Sequence, residues 1–158
     1  MSDVSASQPT EALFYHLERQ PLETVLPQLL LRTLERGWRA VVEAGSEERL
    51  EALDAHLWTF DEHSFLPHGR KQDGHPERQP IFLTTGPENP NGATVRFLVD
   101  GAAPPDDLTG YVRLVLMFDG RDTQAVANAR DHWRVLKGKG CAVTYWQQAD
   151  RGGWERKA

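Results

Sequence analysis

Apolar residues along this chain fall into short runs whose spacing alternates between that of strands and that of helices. "ALFYHLE" (12–18) packs aromatic and aliphatic side chains into strand length and predicts a strand. "LETVLPQLLLRTLERG" carries leucines at helical spacing and stops at Gly37, a residue suited to the left-handed position after a helix. Pro27 cannot donate to the helical ladder, so it is expected in the first turn or at the helix start. "WRAVVEAG" (38–45) predicts a short apolar strand and "SEERLEALDAHLW" (46–58) a helix. Ser46 can accept from the free amides at that helix's start, and Glu47 and Glu48 suit the positive end of its dipole. Between 59 and 80, proline, glycine and charge dominate, which predicts a loop.

"IFLTT" (81–85), "TVRFLVD" (94–100) and "YVRLVLMFDG" (111–120) predict three further strands. The run "LVLMF" (114–118) is too continuously apolar for a half-exposed strand and points to a central one covered on both faces. "DTQAVANARDHWRVLKGKG" (122–140) predicts a helix with an apolar stripe at Ala125, Val126, Ala129, Trp133 and Leu136, and "CAVTYW" (141–146) a last strand. Strands alternating with helices imply an α/β fold: a single doubly wound domain, its sheet mostly parallel, with helices on both faces. The expected organisation is a flexible N-terminal segment (1–11), an α/β domain (12–147) and a C-terminal extension (148–158), with no internal repeat.

A length of 158 residues suffices for one core, and 39% hydrophobic with 26% charged residues places the chain with ordinary globular domains rather than disordered or membrane proteins. "LPQLLL" and "LVLMF" fall far short of the ~20 apolar residues that cross a bilayer, and "MSDVSASQPTEA" lacks the basic-then-apolar order of an export signal, so a cytoplasmic protein is expected. The single cysteine, Cys141, excludes an intramolecular disulfide and is read as a buried strand residue. A net charge of −5 argues against gripping nucleic acid over the whole surface. Between 130 and 140, however, Arg130, Arg134, Lys137 and Lys139 face only Asp131, which suggests an acidic partner such as a peptide.

Motifs for chemistry are sparse. "RQPLET" after the first strand has no Gly-x-Gly-x-x-Gly, and "KGKG" (137–140) lacks the frame of a phosphate-cradling loop. His56, His63, His68 and His75, with Asp61, Glu62 and Asp73, are the potential metal ligands, but no two histidines stand at i, i+4 or in a His-x-His pair. Asp61–Glu62 and Asp106–Asp107 lie in polar loops where nothing raises a pKa, and no serine sits in a Gly-x-Ser-x-Gly elbow. No catalytic residue, metal or cofactor is therefore expected, and binding remains. Arg130, Trp133, Arg134 and Lys137 occupy i, i+3, i+4 and i+7 and share one helix edge. Guanidinium groups beside an indole would hold an acidic peptide ending in an apolar residue; the alternative is a solvated basic face over a core tryptophan. Trp58 and Phe65 in "LDAHLWTFDEHSFLPHG" (53–69) are likewise either interface anchors or core residues.

The succession "FYHL", "ERGWRAVV", "LDAHLWTFDEHSFLPHG" and "ARDHWRVLKGKG" resembles the chi subunit of bacterial DNA polymerase III over about residues 12 to 147. The Leu-Asp-x-x-Leu-Trp and Ser-Phe-x-Pro-His block at 53–68 is its most specific piece. The resemblance implies a non-catalytic accessory subunit of the clamp-loader and polymerase III holoenzyme, active in DNA replication and repair. It implies binding to the acidic C-terminal tail of single-stranded DNA-binding protein through an Arg-x-x-aromatic-basic pattern, here Arg130, Trp133 and Arg134. It also implies a surface for the psi subunit, or for another partner such as a repair helicase, at Trp58 and Phe65. Two alternatives stand beside it: a small α/β nucleotide-binding domain or enzyme, and direct binding of single-stranded DNA.

Overall fold

The computed structural model describes residues 8–61, 63–150 and 153–158. Strands β1 (Glu11–Leu17), β2 (Ala40–Ala44), β3 (His68–Arg70), β4 (Ile81–Thr84), β5 (Val95–Val99), β6 (Arg113–Asp119), β7 (Ala142–Gln148) and β8 (Trp154–Arg156) form one sheet. Its order is β3-β4-β2-β5-β6-β1-β7-β8, and every pairing is parallel except that of β7 with β8. Helices α1 (Leu22–Glu35), α2 (Glu47–Thr59) and α3 (Thr123–Gly138) connect β1 to β2, β2 to β3 and β6 to β7. The chain leaves β1 toward one edge of the sheet and β6 toward the other, so right-handed crossovers put α1 and α3 on opposite faces. The α/β, doubly wound, mostly parallel architecture expected from the alternation is the one observed.

Leu114, Val115, Leu116 and Met117 of β6 are all buried between β5 and β1, as their continuous apolarity required. Ser46 accepts from the Arg49 amide at the start of α2. Gly37, at φ +78°, closes α1: its amide donates to the Leu34 carbonyl and that of Trp38 to Thr33.

Three expectations need correction. Residues 59–80 are not loop throughout, because 68–70 pair with β4 as an edge strand and two 3₁₀ turns follow, Lys71–Asp73 and Pro76–Arg78. The pairing uses backbone groups, which a polar sequence conceals. Cys141 is half-buried and stands just before β7 rather than inside it. Pro27 lies in the second turn of α1, beyond the first turn. Its missing N–H leaves the Glu23 carbonyl without a helical donor, and His56 Nε2 of α2 donates to that oxygen at 2.6 Å. A proline in one helix is thus compensated by a histidine in the next.

The segment 148–158, set apart above as an extension, contributes β8, whose Trp154 meets Tyr15 edge-on at 4.8 Å between ring centres. Residues 1–7 of the N-terminal segment lie outside the described residues.

On one face α1 and α2 cover β2, β4 and β6. On the other, α3 sets Ala129 and Leu136 against Phe14, Leu114 and Leu116. The part of that second face over β2 and β5 has no helix among the described residues and is closed by loops gathered on Arg96, which is fully buried. Its Nε and Nη2 donate to Glu43 Oε1 at 3.1 and 2.6 Å, Nη1 donates to the Glu88 carbonyl and the Tyr111 hydroxyl, and Nη2 also reaches the Gly86 carbonyl. All five guanidinium protons are used. Burial holds the Glu43 carboxyl above the usual glutamate range, against the pull of Arg96.

Removing one partner of such a pair strands the other. Arg96→Ala is expected to cost about 3–5 kcal/mol in urea unfolding, leaving Glu43 uncompensated, whereas the joint Arg96→Met, Glu43→Leu change costs far less. His56→Ala is expected to cost about 1 kcal/mol in the wild type and almost nothing in a Pro27→Ala background, where the Glu23 carbonyl regains its helical donor. Equal costs in both backgrounds would dissociate the histidine from the proline.

Candidate partner-binding surfaces

Asp122 begins α3 by accepting from the Gln124 and Ala125 amides at 3.0 and 3.2 Å. With Ala129 and Leu136 buried, the helical period leaves Arg130, Arg134 and Lys137 exposed along the outer edge. Trp133 is half-buried between that edge and the core, its ring 5.3 Å from Phe14 and 6.1 Å from Tyr145. Arg134 is paired with Asp131 at 3.2 Å, so part of its charge is already answered. Arg130 forms no ion pair among the described residues. Burial pushes the Tyr145 phenol up, and the positive charge of Arg130 opposes that rise.

Below Trp133 the sheet supplies residues that sequence reading missed. His16 lies 5.3 Å from Phe118, and Phe118 lies 6.0 Å from Tyr145. His16 Nε2 donates to Glu18 at 2.9 Å, which leaves Nδ1 to accept the Tyr145 hydroxyl at 2.6 Å. Gly120 makes room for this: a Cβ there would fall 1.9 Å from His16 Nε2. Trp133, Tyr145, Phe118 and His16 therefore form a partly exposed aromatic cluster, with Arg130 one turn before Trp133 on the same helix edge and the Glu18 carboxylate beside His16. The signal that unites them is strand register, with Phe14 beside Tyr145 and His16 beside Phe118, and no local sequence pattern carries it. Lys137 sits in the last turn of α3, beyond the reach of these contacts.

Trp58 and Phe65 come together at the other end of the sheet. They are 50% and 66% exposed, with ring centres 5.8 Å apart, so neither is a core residue. Trp58 leans on His68 at 4.1 Å. His68 is buried, with Nδ1 on the Leu66 carbonyl at 2.6 Å and Nε2 3.0 Å from Asp54, which also pairs with Arg70. His68 and His56 thus serve as braces. His63 and His75 are exposed, Glu62 lies outside the described residues, and no three potential ligands cluster for a metal among those described.

Doubly wound folds usually hold small ligands where the chain reverses direction, at the carboxyl ends of β1 and β6. A crevice of about 490 Å³ lies there. Glu18, Glu23, Asp100, Asp119 and Asp122 line it against Arg49 and Arg121. Arg49 is engaged by Glu23 and Asp100, and Arg121 by Asp119. The excess negative charge repels phosphates, which disfavours a nucleotide at this point.

A family model described as "DNA polymerase III chi subunit, HolC" matches residues 10–144. The chain is also similar to the probable DNA polymerase III subunit chi of Rickettsia prowazekii (strain Madrid E), at 29% identity over 85 residues, or 54% of this chain. It spans about half (52%) of the length of that curated relative. The matched span contains β1 through α3 and ends within β7. No helix among the described residues is long and apolar enough to cross a membrane.

Because Gly120 is what admits the His16 ring, Gly120→Ala is expected to lower the melting temperature by several degrees. His16→Ala should remove most of that penalty, since the added methyl then has space. A penalty unchanged by His16→Ala would show that the ring is not what the methyl meets.

Proposed function

The chain belongs to the DNA polymerase III chi subunit family, and from that premise we propose that it is a non-catalytic accessory subunit of the polymerase III holoenzyme. In this reading it links the clamp-loader and polymerase assembly to single-stranded DNA-binding protein by holding that protein's acidic C-terminal tail. The observation that carries the reading is this cluster: the exposed Arg130, without an ion-pair partner among the described residues, stands one helical turn from Trp133, whose ring neighbours the partly exposed Tyr145 and Phe118, an arrangement we read as a socket. A terminal phenylalanine would lay its ring against those walls and set its carboxylate on Arg130. Acidic residues upstream would follow Arg134 and Lys137 along the helix edge. Trp58 and Phe65, exposed on the far side of the fold, suit a second partner, the psi subunit or another component of the assembly.

Fluorescence anisotropy with a labelled acidic peptide ending in free phenylalanine tests the tail reading. Saturable binding is expected, weakened at least tenfold by Arg130→Ala and by amidation of the peptide's carboxyl terminus, since each removes one half of a charge-assisted hydrogen bond. The Trp58→Ala, Phe65→Ala double variant should bind the peptide as the wild type does. Equal binding of the amidated peptide would overturn the proposed geometry, and absence of binding at low salt would overturn the tail reading.

A further inference from the structure

The sheet's α1 side changes character past β6. Register places Leu13 and Tyr15 of β1 level with Val115 and Met117 of β6, and with Thr144 and Trp146 of β7. Trp146 stands opposite Arg156 of β8, and Gln148 opposite Trp154. On this side α1 packs on β2 and β6, and α2 on β2 and β4, so no described helix lies over β7 and β8. Leu13, Tyr15, Thr144, Trp146 and Trp154 stay partly exposed on a strip where a mostly parallel sheet ordinarily demands cover.

Positive charge gathers around that strip in a protein whose net charge is −5. Arg32 and Arg36 project from the end of α1 one turn apart, Arg113 opens β6, and Arg156 lies on β8. Glu11 answers Arg113 at 2.8 Å, but Arg32 and Arg36 form no ion pair among the described residues. Trp38 holds two of these cations in place, with Arg36 at 4.9 Å and Arg113 at 5.4 Å from its ring. Between α1 and the sheet a cleft of about 440 Å³ is lined by Arg32, Arg36 and Arg113, with Glu35 as its one acidic residue, and by Leu13, Leu29 and Val115.

We propose that this arginine-rimmed, aromatic strip is a contact surface for single-stranded nucleic acid. Two features select that occupant. The guanidinium groups of Arg32 and Arg36, without an acidic partner among the described residues, match a backbone carrying one charge per nucleotide, and the partly exposed rings of Trp146 and Trp154, the latter packed against Tyr15, match the faces of unstacked bases. An acidic peptide would satisfy the arginines and leave the aromatic surface without a counterpart. From β6 to β8 the strip spans three strand spacings, about 14 Å, enough for a short stretch of strand and too little for high affinity. It lies on the opposite face of the sheet from the α3 socket, so it is independent of the tail reading, and both partners could be engaged at once.

The test is anisotropy of a fluorescein-labelled oligothymidylate titrated with the full chain at low salt, then over a salt series. Saturable binding is expected. Arg32→Glu with Arg36→Glu should weaken it at least tenfold and flatten the log–log salt slope by about 0.7 for each phosphate that is no longer neutralised. Trp146→Ala should weaken it at least fivefold, while Arg130→Ala should leave it unchanged; circular dichroism and melting would show that each variant is folded. No saturable binding at low salt, or undiminished binding by the folded Arg32→Glu, Arg36→Glu variant, would overturn the proposal. So would oligoglutamate competing as well as unlabelled oligothymidylate, which would make the strip a site for acidic protein.

Discussion

A parallel sheet hides its backbone polarity within itself, but it must still cover both faces, and among the described residues three helices are too few for eight strands. Much of this protein follows from how the shortfall is met. Two helices are spent on one face over β2, β4 and β6, and one on the other over β6 and β7. The uncovered part of the second face is closed by loops, and loops close a face only if something fixes them. Arg96 does so by gathering Glu43, two loop carbonyls and the Tyr111 hydroxyl around a guanidinium that has no contact with water. A charge in the core costs desolvation energy, and full use of its five protons offsets that cost.

The same economy of helices governs the surfaces. Since α3 is the only described helix on its face, its outer edge is free to carry cations while its inner stripe holds Phe14 and Leu114. Trp133 belongs to both edges, which lets a packing residue double as the wall of a socket. On the opposite face the lack of a described helix over β7 and β8 leaves aromatic side chains in view, with arginines around them. The two surfaces share β1 as a common spine, with Phe14 and His16 pointing one way and Leu13 and Tyr15 the other. Rigidity of that strand, paired on both sides, would hold them in fixed relation.

Histidine has an unexpectedly structural part. His56 makes good the carbonyl that Pro27 strands, and His68 fixes the base on which Trp58 rests. Both lie in the block whose acids and histidines invited a metal or an acid-base reading. Their partners are backbone carbonyls and Asp54, which orients them as braces within the fold and leaves the exposed Trp58–Phe65 pair as the feature that faces outward.

What the sequence determined by itself was whatever depends on neighbours a few positions away. Hydrophobic period marked the helices and the central strand at 114–117, Gly37 and Ser46 marked helix ends, and spacing along α3 put Arg130, Trp133 and Arg134 on one edge, because a helix's geometry is fixed by its own backbone. It could not show β3 or β8, since short polar strands exist only through the edge they pair with. Nor could it assemble His16, Phe118, Gly120 and Tyr145 beneath Trp133, explain the second-turn proline, or reveal which sheet face lacks a helix. Those features rest on strand order, register and helix packing, set by contacts between residues far apart in the chain: 33 positions from Glu23 to His56, and over a hundred from β1 to β6 and β7. Only the closed tertiary structure decides them.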